Sequence, residues 1–289
     1  MMTKLQVLQE LIALSLRVTM IPVIVREIYQ RNKVTIISYH RIPARLFERH
    51  LRYLTKRYSI ISLEEFIKAK YQNNMNTLPR KPIIITFDDG AKINYSLQEV
   101  LHAYNVPATI FVCSDILGTN HHFWFSYRKR VKTDLKRIAD DERLKLLSRV
   151  GFDEKKEYET AEALSETEIA DLLSAGVSIQ SHTLTHPILP MCDDSKAEVE
   201  ITKSKIDLEK KFGIKVDYFA YPNGNYLPRD IDICKRAGYL AAATLDLGFN
   251  DVGTDVYKLK RISINNDASV NQLIVKTTGV WYFVKRVFR

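Results

Sequence analysis

The sequence predicts an α/β fold in which short parallel strands, joined by crossover helices, curl into a closed or nearly closed barrel. Two observations predict it. Seven short runs rich in β-branched residues recur along the chain, and stretches with helical apolar spacing fall between them, the order that parallel strands and crossover helices produce. The chain is also long enough at 289 residues, and apolar enough at 46%, to bury one large core. That apolar content excludes a disordered chain.

The elements follow in order. Residues 5–28 place Leu5, Leu8, Leu11, Ile12 and Leu16 at helical spacing, with Arg17 interrupting the apolar run and Pro22 breaking it. This segment is too interrupted to span a bilayer. Lys4 is the lone basic residue at its start and no small-residue cleavage site follows, so a secretory leader is not expected. The strand runs are "VTIISYH" (34–40), "PIIITFDD" (82–89), "ATIFVCS" (108–114), "VSIQSH" (177–182), "YFAYP" (218–222), "LAAAT" (240–244) and "KRISI" (260–264). Helices are expected over 45–56, 63–72, 94–104, 167–175 and 195–212. Residues 118–165 form a charged insertion expected to lie over one mouth of the barrel. Its aromatic cluster "HHFWF" (121–125) either walls a pocket, with Trp124 touching substrate, or caps the core. The expected division is an amphipathic segment over 1–33, a barrel over 34–265 and a basic aromatic tail over 266–289. In that tail Trp281, Tyr282, Phe283 and Phe288 mix with Lys285, Arg286 and Arg289, which suits either peripheral contact with a membrane or a terminal helix packed on the domain.

The formal charge of +9 is scattered and accompanies no nucleic-acid motif, so nucleic acid is not an expected partner. Cys113, Cys192 and Cys234 are far apart in sequence and form no CxxC pair, which points away from a disulfide framework or a thiolate zinc site and towards a reducing, cytoplasmic compartment.

Chemistry concentrates at the ends of the strand runs. "TFDDG" (86–90) seats two like charges, Asp88 and Asp89, at the mouth of an apolar strand, and something must compensate them. "SIQSHTLTHP" places His182 and His186 four apart just after another run. In a barrel the C-terminal strand ends converge on one mouth, which gathers Asp88, Asp89, His182, Tyr221 and His40. Two imidazoles and a carboxylate make a metal set, so Asp89, His182 and His186 are the candidate ligands of a divalent cation.

"TFDDG" (86–90), "SHTLTHP" (181–187), "FAYPNG" (219–224) and "KRISI" (260–264) resemble, in order and spacing, the motifs of the polysaccharide deacetylase family, the NodB-homology carbohydrate esterases. The stretch from "IISYH" to "SLEEF" (36–66) resembles the branch of exopolysaccharide and poly-N-acetylglucosamine deacetylases that opens with a Tyr-His pair. The resemblance implies a deformed barrel of seven β/α units that hydrolyses the N-acetyl group of an amino sugar. It implies zinc as the cation, with cobalt, nickel or ferrous iron as alternatives, and Asp88 as the base that activates water. The turn Tyr221–Pro222–Asn223–Gly224 would supply a backbone donor to the oxyanion. Many members carry an arginine where this chain has Ala220, and Arg261 is then expected to orient Asp88 in its place. The C-terminal histidine that many members use as general acid is absent, and His40 is expected to fill that role. His50, His102, His121 and His122 read as surface or lining residues. Two other functions remain open at this level: an amidohydrolase acting on a small non-sugar amide, and a catalytically silent carbohydrate-binding barrel. Retention of Asp88 argues against the silent barrel, since a purely structural metal site has no use for it.

Overall fold

The computed structural model describes residues 3–287, apart from the side chains of Leu5 and of 284–287. Phe288 and Arg289 of the expected aromatic tail, and the side chains of Lys285 and Arg286, lie outside the described residues. The chain opens with α1 (Lys4–Val18) and α2 (Ile21–Ile24), followed by β1 (Thr35–Tyr39), α3 (Ala44–Arg57), β2 (Ser59–Ile60), α4 (Leu63–Tyr71) and β3 (Pro82–Phe87). Then come α5 (Gln98–Tyr104), β4 (Thr109–Val112), α6 (Asp140–Ser148), α7 (Glu166–Ser174), β5 (Ser178–Ser181) and α8 (Asp194–Phe212). The last part holds β6 (Tyr218–Ala220), α9 (Pro228–Arg236), β7 (Ala241–Ala243), β8 (Ile262–Ser263), α10 (Val270–Thr277) and α11 (Val280–Val287).

Local chemistry sets several of these boundaries. Ser62 and Ser165 each accept a hydrogen bond from a glutamate backbone three residues on, and Glu65 and Glu168 reach back, so α4 and α7 start on capping boxes. Asp193 caps α8, and Gly213 in the left-handed conformation ends it.

All strand pairings are parallel and run in the order β7-β6-β5-β4-β3-β1-β8. The curled sheet closes through the segment entering β8, where Leu259 pairs with Ala243. One strand was not expected. β2 lies off the main path against the first half of β3, through Ser59↔Pro82 and Ile60↔Ile83, while β4 pairs with its second half at Thr86 and Phe87. Two paired residues are too short to leave a period in sequence.

The alternation of side chains across each strand builds two apolar layers. Ile37, Tyr39, Ile83, Ile85 and Phe87 pack outward under the helices, whereas Ile36, Ile84, Phe111, Ala241 and Ala243 fill the barrel. The register Tyr39↔Phe87 continues in step at the mouth, where the Asp88 N–H donates to Tyr39 O. Residues just past 263 do not leave the domain: Ala268 and Leu273 are fully buried in the outer core.

His50 corrects an expectation. It is fully buried rather than at the surface, because α3 turns it inward with Phe47, Leu51 and Leu54. Its Nε2–H donates to Ala268 O at 2.8 Å, and its Nδ1 accepts from the Tyr39 hydroxyl at 3.0 Å. Burial pushes the imidazole down to about 4. The unfolded chain takes up this proton near pH 6.5 and the folded chain only near 4, so stability rises with pH across that window and is lost as pH falls through it. His50→Gln is therefore expected to shrink the acid-induced loss between those values by up to about 3 kcal/mol, read from denaturant midpoints at each pH. His182, buried and also held near 4, is present in both proteins and cancels in the comparison.

Candidate active site

The register between β1 and β3 brings the first two site residues together. His40 follows Tyr39 as Asp88 follows Phe87, which leaves His40 Nε2 4.0 Å from Asp88 Oδ2 with the imidazole about one-third exposed. Asp88 itself is buried. Arg261, at the entry to β8, extends through the barrel interior and clamps it on both oxygens: Nη1 donates to Oδ1 at 2.7 Å and Nη2 to Oδ2 at 2.9 Å. The guanidinium is held in turn by Nε donating to Thr244 O at 2.8 Å. Burial, the largest influence, would raise the Asp88 carboxyl, but Arg261, His182 and His40 together outweigh it and hold it below the ordinary value.

Asp89, His182 and His186 form the one metal-capable group among the described residues, with ligand atoms within 4.8 Å of one another. The Nε2 atoms of His186 and His182 stand 3.3 and 3.8 Å from Asp89 Oδ1. That oxygen is buried and has no hydrogen-bond partner, a costly state for a carboxylate unless a cation faces it. The Nδ1–H of His182 donates to Ala220 O at 2.7 Å, which fixes the tautomer and aims Nε2 at the shared centre. Burial is the largest influence on both groups. It pushes His182 down to about 4, so the ring is neutral and its lone pair free at neutral pH. In Asp89 the surrounding His186, His40 and His182 outweigh it, and the carboxyl lies well below the ordinary range.

The backbone is bent to reach this geometry. Asp89, Thr183 and His186 all have left-handed φ, at 74°, 71° and 62°, a conformation that costs a non-glycine residue on the order of 1 kcal/mol or more. Gly90 continues the turn at φ 70°, where a Cβ would stand 2.7 Å from Val112 Cγ1. Glu200 of α8 secures the histidine loop by accepting from the Leu184 and Thr185 N–H groups and the Thr185 hydroxyl. Sequence reasoning missed this residue, because a glutamate on an amphipathic helix carries no signal that it points inward.

The third motif needs two corrections. The Tyr221 ring is fully buried with Phe219 in the outer core, and its hydroxyl donates to Tyr257 O at 3.2 Å; Pro222 is buried as well. The pleat turns the Tyr221 ring to the same side as Phe219, away from the mouth, and the Pro222 ring carries no polar group. What the turn offers is backbone. The Tyr221 and Gly224 N–H groups are already donated to Ala243 O and Tyr221 O, and proline has none. Asn223, left-handed at φ 58°, is thus the turn residue whose N–H remains for a ligand. Gly224 is required by space, since a Cβ there would lie 2.5 Å from the Leu245 backbone nitrogen.

Trp124 is the other correction. It is buried in a small core of the insertion with Tyr127, Leu135, Leu147, Phe152 and Ile188. Its Nε1–H donates to His186 O at 2.8 Å, so it supports a candidate ligand rather than lining a pocket. The aromatic that does reach the site is its neighbour Phe125, half-buried, with its ring edge-on to His186 at 5.0 Å between centroids. The insertion also brings Lys136, whose Nζ donates to the Asn223 side-chain oxygen. Burial and the nearby Arg128 lower that lysine from its ordinary value.

Parallel strands, a two-aspartate turn, two histidines on a tight loop and a four-residue turn with the Asn223 N–H undonated now stand in one mouth. The pattern of the polysaccharide deacetylase family matches residues 75–242, more than half of the chain. The chain belongs to the polysaccharide deacetylase family. It is 24% identical over 246 residues to the YxkH protein of Bacillus subtilis (strain 168), covering 81% of this chain and 72% of that one. It is 29% identical over 210 residues to the poly-beta-1,6-N-acetyl-D-glucosamine N-deacetylase of Staphylococcus epidermidis, covering 72% of this chain and 62% of that one. Among solved structures it is similar to the deacetylase PplD of Streptococcus pyogenes in complex with acetate, with a TM-score of 0.63 at 21% identity over 85% of this chain and 98% of that one. IcaB from Ammonifex degensii gives 0.62 at 20% identity over 85% and 97%. These likenesses bear out the deformed barrel and the polysaccharide deacetylase resemblance. The guanidinium that grips Asp88 is that of Arg261, at the entry to β8.

Proposed function

We propose that this chain is a metal-dependent hydrolase that removes the N-acetyl group from an amino sugar in a glycan or glycan precursor. One observation carries the reading: the unpartnered, buried Asp89 Oδ1 between two imidazole Nε2 atoms, beside a second carboxylate that a guanidinium keeps ionised. Two histidines and one aspartate suit zinc with positions left open, cobalt, nickel or ferrous iron being alternatives. When bound, such an ion lowers the pKa of a water from about 16 towards about 7 and polarises the amide carbonyl.

The residues divide the remaining work. Asp88 takes the proton of the attacking water; Arg261 holds both its oxygens and so fixes its direction. The Asn223 N–H faces the oxygen that becomes negative as the carbonyl carbon turns tetrahedral. His40, on the more exposed side of Asp88, gives a proton to the sugar nitrogen as the carbon–nitrogen bond breaks, so that acetate and an amine leave. Phe125 walls the site beside His186 and limits water around the acetyl group.

The test is acetate release from a panel of N-acetylated lipid-linked, nucleotide-linked and polymeric sugars. Release from at least one is expected, abolished by chelation and restored by zinc. Release only from small non-sugar amides would make the chain an amidohydrolase. Sugar binding without any release would make it a carbohydrate-binding barrel.

A further inference from the structure

The N-terminal helices bury one small apolar contact, Ala13 with Leu16 and Val25 against Val275, Val280 and Trp281, and otherwise turn polar side chains inward and apolar ones outward. The inner face of α1 carries Gln6, Glu10 and Arg17, which bond Asp267, Ser269 and Asn271 around the start of α10. Its outer face carries Val7, Leu8, Leu11, Ile12, Leu14 and Val18, all exposed. The next segment repeats the pattern. Arg26 and Gln30 are buried against Tyr53, Thr35 and Thr277, while Ile21, Ile24 and Ile28 point to solvent. Eleven of the twenty exposed large apolar side chains of the described residues thus fall before residue 30. A water-facing helix normally places its residues the other way round, and an apolar surface of this extent marks an interaction site.

We propose that this face docks in the plane of an anionic lipid bilayer. The charges around it favour that partner. The segment up to Lys33 has five basic residues and two acidic ones, and Lys4 and Arg31 are exposed at its edges. Its two acidic groups are tied to the protein, Glu10 to Ser269 and Asn271 and Glu27 to Arg26 and Lys81. Apolar residues flanked by unopposed cations match an acyl boundary beneath negative headgroups. The segment lies along the surface rather than across it. No single helix among the described residues is long and apolar enough to cross a membrane; residues 6–18 and 21–29 reach that length and composition only as a pair, and the pair is bent by 63°. Their polar faces, moreover, are held by the barrel. A groove of about 860 Å³ runs alongside, lined by Leu16, Val25, Tyr29, Phe249, Tyr282 and Phe283, so that α11 adds its exposed Phe283 to the same surface.

The face is connected to the catalytic mouth. Gln6 holds Asp267, and the adjacent Asn266 side chain accepts from the Arg41 N–H, next to His40. On the deacetylase reading above, docking brings the mouth towards glycans carried at the membrane surface.

The test is flotation of the full chain with vesicles of about 30% phosphatidylglycerol in phosphatidylethanolamine. The wild type is expected to float, and less so with phosphatidylcholine alone. The triple variant Leu11→Glu, Leu14→Glu, Val18→Glu alters only exposed positions; it is expected to keep the wild-type circular dichroism and bind at least about tenfold more weakly. A wild type that stays at the bottom of the gradient, or a variant that floats as well, overturns the proposal. So does a wild-type dimer that the variant splits, since the face would then join two copies. Flotation is read without turnover, so this result is independent of whether the chain releases acetate.

Discussion

Replacing Asp88 by Asn is expected to cut acetate release by about a hundredfold or more while the protein keeps its metal. The substitution preserves shape and leaves an oxygen to accept one of the two Arg261 hydrogen bonds, so the fold survives, but the amide cannot take a proton from water. Asp89→Asn is expected to act in the opposite order. It removes the anionic donor that His182 and His186 surround, so metal content falls first and turnover falls because of it. Metal analysis and rate measured on the same preparations separate the two. An Asp88 variant that loses its metal, paired with an Asp89 variant that retains it, would reverse the assignment.

Arg261→Leu has the largest expected effect on stability. It leaves Asp88 buried without its partner, and breaking a buried ion pair from one side costs about 3–5 kcal/mol. The lost stability should appear as a lower denaturant midpoint. The rate should fall as well, because an unpaired buried carboxyl takes up a proton and ceases to be a base. Arg261→Lys discriminates between the two roles. It restores the charge but not the fork that grips both oxygens, so it is expected to recover more of the stability than of the rate. A Lys variant that regains full turnover would show that charge alone, and not orientation, is what Asp88 needs.

The fold and the grouping of Asp89, His182 and His186 were legible in sequence because each left a local signature. Strand runs have a length and composition, and "TFDDG" and "SHTLTHP" put their chemistry next to the turn that exposes it. The errors came where a side chain's direction depends on residues far along the chain. Tyr221 sits in the right motif, yet the pleat turns its ring into the outer core and leaves the Asn223 backbone at the mouth. Trp124 and Phe125 are adjacent in one aromatic cluster, and only the packing of Leu135, Leu147 and Ile188 decides which is buried. His50 lies on a helix whose apolar stripe has a gap at its position, and the carbonyl that fills the gap belongs to Ala268. Glu200 and Lys136 act at the site from an amphipathic helix and a charged insertion, where such residues ordinarily face water.

The clamp on Asp88 joins residues 173 positions apart, and it exists only once β8 has taken its place beside β1 and Leu259 has met Ala243. Contacts of such wide sequence separation form late in folding and set its pace. During synthesis the aspartate turn emerges first and waits for its compensating cation until residue 261 has been added. Hydrolytic competence thus waits on closure of the barrel, and a half-closed chain carries the motif without the reaction.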